Sequence, residues 1–151
     1  MSRDLSKYIG MEFKPFAFEI ERGKIREFAM AIGDENELYV NQAAARDAGL
    51  PDVTVPPTFG TVMNLWGDMD FEQLCAVLEM DSLKVLHGEM EYEYFGLIHP
   101  GDTLSVTTVV ASARSKSSSS GGMNLFKLES TYVNQRGETV LIGRSTVIEQ
   151  H

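Results

Sequence analysis

The sequence predicts an α+β domain in which an antiparallel sheet packs around one apolar helix, and three observations carry that prediction. The first half of the chain passes from alternating apolar residues to the i, i+3, i+4, i+7 spacing of amphipathic helices. The second half is almost all Thr- and Val-rich alternation broken by short turns. No linker or internal repeat separates the two halves, so residues 1–151 read as a single domain.

Residues 13–20, FKPFAFEI, alternate Phe16, Phe18 and Ile20 with Ala17 and Glu19, a strand with Pro15 at its start, where a missing N–H is tolerated. From Arg22 the period becomes helical. Ile25, Phe28, Ala29 and Ile32 share one face, Lys24, Arg26 and Glu27 take the other, and Gly33 suits the end. A polar loop over 34–39 follows, then Asn41 is placed to cap a short helix over 42–48 that Gly49 and Pro51 stop. Val55-Pro56-Pro57-Thr58 imposes an extended stretch before the next helix. Thr58 is its expected cap, Phe59, Val62, Met63 and Trp66 form its stripe, and Gly67 interrupts it. Asp70 and Gln73 have capping-box spacing for a further helix, with Phe71, Leu74, Cys75 and Leu78 on one side. Cys75 therefore reads as core filler.

In residues 86–94, Leu86, Met90, Tyr92 and Tyr94 share one face and Glu89, Glu91 and Glu93 the other. Parity puts His87 with the glutamates unless a bulge at Gly88 reverses it. Pro100-Gly101-Asp102 is a turn before a strand over 103–113. Residues 115–122, SKSSSSGG, have little to pack and are expected to form a mobile loop. Phe126, Leu128 and Tyr132 alternate with Lys127 and Glu129; residues 134–137 read as a hairpin turn and 139–148 as the closing strand. Wrapping these strands around the helix at 59–66 is the economical packing, which is the hotdog arrangement.

Composition narrows the function. Thirteen Lys and Arg against 22 Asp and Glu leave a net charge of −9, so a polyanion such as nucleic acid is not an expected partner. No apolar run is long enough for a membrane helix, and the first residues, MSRDLSKYIG, lack the apolar core of a secretory signal. The single cysteine cannot form an internal disulfide, and the expected compartment is the cytoplasm. His87, His99 and His151 are the only histidines, and no metal site or cofactor is expected from their spacing.

Four places can carry chemistry. The loop Gly33 to Tyr39 is polar, though Asp and Asn are also ordinary turn formers. The helix start at Thr58-Phe59-Gly60-Thr61 leaves backbone amides without partners, and Gly60 has no side chain to keep a ligand oxygen away. Such an amide would stabilise a thioester carbonyl developing enolate character; alternatively, Gly60 lets the helix pack closely on the sheet. His87 is a possible acid/base, or a surface residue if parity holds. The basic group Arg22, Lys24, Arg26 and Arg46 could meet the phosphates of coenzyme A, or form a solvated helix face.

The run EIERGKIREFAMAIGDENELYVNQAAARDAGLPDVTVPPTFGTVM resembles the start of MaoC-like hydratases and dehydratases, and LHGEMEYEYFGLIHPGDTLSV and VNQRGETVLIGRSTVI resemble their continuation. The resemblance implies a hotdog fold, dimeric assembly, and thioesters of coenzyme A or acyl carrier protein (ACP) as ligands. In active members a loop of the form Asp-x-Asn-Pro-hydrophobic-His activates the water that adds to C3 of a 2-enoyl thioester. By resemblance, Asp34 and Asn36 take the loop's aspartate and asparagine positions, and Tyr39 stands where the histidine would be; these three are the candidate catalytic residues. Glu37 replaces the proline. Gly60 corresponds to the carbonyl-binding amide, with Thr58 and Phe59 beside it as candidate substrate-binding residues. Versions without the histidine look like the branch in which one hotdog holds the acyl chain for a catalytic partner. The expected partners are thus an acyl thioester and a second hotdog subunit, the same or different. A thioesterase is the remaining alternative, because fold alone does not set the reaction.

Overall fold

The structure, a computed structural model, describes residues 3–67 and 69–151. A short strand, β1 (Phe16–Glu19), precedes four helices: α1 (Arg22–Ala31), α2 (Gln42–Asp47), α3 (Gly60–Leu65) and α4 (Phe71–Val77). Four longer strands follow: β2 (Val85–Tyr94), β3 (Thr103–Ser118), β4 (Gly121–Val133) and β5 (Thr139–Gln150). All five strands form one antiparallel sheet in the order β1-β3-β4-β5-β2, which leaves β1 and β2 as its edges. This is the expected α+β hotdog plan.

The alternation read from the sequence sets the inward face. Leu104, Val106 and Val110 of β3, Phe126, Leu128 and Tyr132 of β4, and Leu141 and Val147 of β5 are buried under the helices. Two apolar clusters divide that face. One gathers α1 and α3 through Ile25, Ala29, Phe59, Val62 and Met63. The other gathers α4 through Cys75 and Leu78 with Val110, Phe126 and Val147. Burying side chains of this size contributes about 1.5–3 kcal/mol each, so the helices are held chiefly by these faces. Caps add to this: Asn41 Oδ1 accepts from the Ala43 and Ala44 amides, and Asp70 with Gln73 forms the expected capping box. Cys75 is buried core, as read.

Three expectations are corrected. The apolar helix at 59–66 is only the six residues of α3, and Thr58 does not cap it: no side chain does. Instead Thr58 lies in a tight turn after Pro56-Pro57, where its carbonyl accepts from the Thr61 N–H at 3.0 Å. Trp66, counted in the apolar stripe, is 70% exposed. Residues 115–122 are not a loop. β3 and β4 pair through Ser117↔Gly122 and Ser118↔Gly121, closing on a tight turn. Ladder bonds need only backbone, and the end of β5 continues them, with Gly122 and His151 exchanging N–H···O bonds of 2.7 and 2.9 Å. The third concerns His87. The β2–β5 register shifts between His87 and Glu89, so a bulge at Gly88 puts His87 opposite inward Val147 while Glu89 stays outward.

Candidate functional site

The loop after α1 is built by its own polar side chains. Gly33, at φ 71°, ends the helix in a left-handed conformation that glycine adopts without strain. Asp34 Oδ1 accepts from the Asn36 N–H at 3.1 Å, and Asn36 Oδ1 accepts from the Leu38 N–H at 3.0 Å, capping the 3-10 turn Glu37–Tyr39. Both residues therefore form the turn. The other carboxylate oxygen of half-buried Asp34 has no hydrogen-bond partner among the described residues. Tyr39 is buried, and burial followed by the charge of Asp34 pushes its hydroxyl above the ordinary tyrosine range. It stays protonated at neutral pH and can donate a hydrogen bond but not remove a proton.

Tyr39 faces a second group. Tyr94, on the edge strand β2, is raised by burial and then by the neighbouring Tyr92 and Tyr39, and its hydroxyl donates to the Pro57 carbonyl at 2.8 Å. Tyr39 thus shares an apolar cluster with Phe59, and the Pro56-Pro57 turn and the end of β2 meet through the Tyr94–Pro57 bond beside the first turn of α3. There the amides of Phe59, Thr61 and Val62 find carbonyl acceptors, whereas none is found among the described residues for the Gly60 N–H. The Cα side of Gly60 is closed: a Cβ there would lie 2.3 Å from Cε1 of Tyr92. Thr58 is exposed. Phe59 is wholly buried, edge-on to Phe28 at 5.7 Å between ring centroids, so only its backbone faces the turn.

Beyond Tyr92 lies a cavity of about 390 Å³ between α3, α4 and the inward face of the sheet. Its wall is mostly apolar (Phe16, Leu65, Phe71, Leu74, Met90 and Leu128 among others) with polar points at Thr61, Asn64, Ser130 and Ser145. Asn64 accepts the Tyr132 hydroxyl at 2.8 Å, and Thr108 and Ser130 bond each other at 2.6 Å. Asp34, Asn36 and Tyr39 do not line this cavity; Thr61 and Tyr92, which bond at 2.8 Å, do, and the Tyr92 ring packs on Gly60. His87 lines it as well, turned inward by the Gly88 bulge. Tyr92, Tyr94 and Asn64 carry this geometry without having been singled out as site residues; the tyrosine alternation on β2 was the available signal.

The basic residues are engaged locally, with Arg22 and Arg46 both acting on Asp52. Arg22 pairs with Asp52 at 2.7 Å, and Lys24 pairs with Glu27 at 3.1 Å and lies over the Trp66 ring. Among the described residues no cluster of three or more His, Cys, Asp or Glu could hold a metal, and no helix is long and apolar enough to cross a membrane.

Comparison with known proteins adds three findings. The family described as "FAS1-like, dehydratase domain region" matches residues 7–142. A UPF0336 protein of Thermobifida fusca is 34% identical over 137 residues, 89% of this chain and 86% of that one. Among solved structures, a MaoC-like dehydratase superposes with a TM-score of 0.84 at 24% identity, covering 96% of this chain and 43% of that one; this chain spans less than half of its length. The truncated HadBC complex of Mycobacterium tuberculosis, a (3R)-hydroxyacyl-ACP dehydratase, matches with a TM-score of 0.78 at 21% identity over 95% of this chain and 98% of that one. At these identities the structures establish the hotdog fold.

Proposed function

The chain belongs to the family of FAS1-like dehydratase domain regions, and from that premise we propose that it is a hydratase/dehydratase component acting on acyl thioesters. It interconverts 2-enoyl and (R)-3-hydroxyacyl groups carried by coenzyme A or ACP. The observation that supports this most is the Gly60 amide, without an acceptor among the described residues and next in sequence to Thr61 on the wall of a largely apolar cavity.

In this reading the thioester carbonyl accepts from the Gly60 N–H, next to the Thr58 and Phe59 backbone. The free oxygen of Asp34 takes a proton from a water as its oxygen bonds to C3. The C2–C3 π electrons move toward the thioester oxygen, where the amide stabilises the developing enolate. C2 then takes that proton from the Asp34 carboxylic acid, which restores the carboxylate and gives the neutral 3-hydroxyacyl thioester. Asn36 holds the turn that aims Asp34, and Tyr39, protonated, orients the water by donating to it. The acyl chain extends toward the cavity.

A second reading is that this chain binds the acyl group for a catalytic hotdog partner. Tyr39 favours it, since a tyrosine held above its ordinary range cannot replace a histidine base. Either way a second hotdog subunit, identical or different, is the proposed partner. The edge strand β2 has one side without a partner strand among the described residues, and its own Leu86 is exposed, as are Leu83, Phe95 and Leu97 near its ends. The lone buried cysteine suits a reducing cytoplasm.

The test is hydration of enoyl thioesters by the purified chain, followed by loss of enoyl absorbance. If Asp34 is the base, Asp34→Asn lowers the rate by about two to four powers of ten. Equal rates for wild type and Asp34→Asn across several chain lengths refute Asp34 as the base, and a purified chain with no hydration activity refutes self-contained catalysis. In that case an inert chain that changes the rate or chain-length range of a catalytic hotdog establishes the binding role.

A further inference from the structure

We propose that Tyr92 is the gate that decides how much of an acyl chain enters the cavity; this rests on the acyl-thioester reading above. Tyr92 and Thr61 occupy the boundary between the Gly60 turn and the 390 Å³ cavity, and both line its wall. The ring is confined from two sides. Gly60 lies so close that any Cβ there would meet Cε1 at 2.3 Å, and a Cβ on Gly143 would be 3.4 Å from the same atom. Glycine at both positions leaves the ring its slot, in register with β5 through the Tyr92↔Gly143 pair. Its hydroxyl is tethered to Thr61 Oγ1 at 2.8 Å across the start of α3.

This arrangement constrains any ligand whose carbonyl is held by the Gly60 N–H. The Cα side of Gly60 is filled by the ring, so the chain must leave on the amide side. To reach the apolar wall of Leu65, Phe71, Leu74 and Met90 it has to pass the Thr61–Tyr92 hydrogen bond. With the bond closed, a short chain stops at the ring. With the ring displaced, the cavity opens to a longer one. An exposed neutral hydrogen bond contributes little net stability, so the tether is weak enough to yield to a bound chain. Tyr92 is thereby a specificity-determining residue.

The test is calorimetric binding of butanoyl, octanoyl, dodecanoyl and hexadecanoyl pantetheine thioesters to the purified chain and its variants. Each methylene that enters an apolar cavity strengthens binding by roughly fourfold. Wild type is expected to gain little beyond the chain length that meets the ring, whereas Tyr92→Ala keeps gaining with length. Tyr92→Phe, which keeps the ring and loses only the tether, falls between them and serves if Tyr92→Ala does not fold. Adding Ser145→Leu, which fills the cavity wall, should remove the long-chain gain. Parallel length dependence in wild type and both Tyr92 variants overturns the gate, as does a gain that survives Ser145→Leu. Failure of every protein to bind any thioester overturns the underlying acyl-thioester reading instead.

Discussion

Gly60→Ala places two opposite effects at one position. In an isolated helix, alanine is better than glycine by up to about 1 kcal/mol. Here the new methyl carbon would lie 2.3 Å from Tyr92 Cε1 and 3.0 Å from Cδ1, well inside contact distance. The ring cannot stay. Overpacking of this kind costs about 1–3 kcal/mol. Moving the ring also breaks the Tyr92–Thr61 hydrogen bond, worth about 0.5–1.5 kcal/mol net. The balance is a destabilisation of about 0.5–3.5 kcal/mol, which for a domain of this size lowers the melting temperature by roughly 2–4 °C per kcal/mol. Urea unfolding of wild type, Gly60→Ala, Tyr92→Ala and the double variant measures it. The two substitutions should couple, because removing the ring removes the clash; the double variant should be less destabilised than the sum by about 1 kcal/mol or more. A Gly60→Ala protein as stable as wild type, or additive costs, refutes the close packing of α3 on β2. The same contact makes a bulkier residue at Gly60 an unclean probe of ligand binding, since it moves Tyr92 as well as blocking the amide.

Two further outcomes follow from the same structure. Tyr39, Tyr92, Tyr94 and Tyr132 are all held above the ordinary tyrosine range, chiefly by burial. A raised folded pKa means that the stabilisation is fully present below the unfolded value of about 10 and is lost as pH rises through the folded values. The urea midpoint should therefore hold from neutral pH to near 9 and fall beyond 10; a midpoint flat through that range contradicts the burial of Tyr39 and Tyr132, the two of the four that are buried. The exposed apolar edge at β2 predicts that sedimentation at micromolar concentration finds a species heavier than the 16.8 kDa chain, or a mixed one with a second hotdog; a stable monomer under both conditions refutes the paired edge.

Much of the fold was legible because it depends on local pattern. The alternation in β4, the caps at Asn41 and Asp70 and the hairpin turn at 134–137 each need only near neighbours in sequence, and each is found where read. What was not legible depends on distant partners. SKSSSSGG carries no packing signal, yet backbone pairing along β3, β4 and the end of β5 extends it into a hairpin. The face of His87 turns on the two-for-one pairing at Gly88, which is a property of β5 as much as of β2. The end of the helix at 59–66 differs from the pattern for a related reason: Trp66 has the spacing of the stripe, but α3 stops at Leu65 and the ring is left exposed.

The site illustrates the same division at finer scale. Asp34 and Asn36 were singled out by chemistry, and the structure has both of them hydrogen-bonded to the turn they sit in, so their presence alone does not distinguish a catalyst from a well-made loop. The distinction lies in what is left over: one carboxylate oxygen on Asp34 without a partner among the described residues, and an amide at Gly60 in the same state. A turn needs neither to be free, since one Asp oxygen completes it. A thioester needs a donor for its carbonyl and a place for water near its β carbon, and the two free groups offer these. Tyr39 cannot complete that pair as a base, because burial first and the Asp34 charge second keep the phenol protonated. In the proposed self-contained chemistry Asp34 is therefore the base, which is why one substitution there is the test that separates the proposed enzyme from the proposed binding subunit.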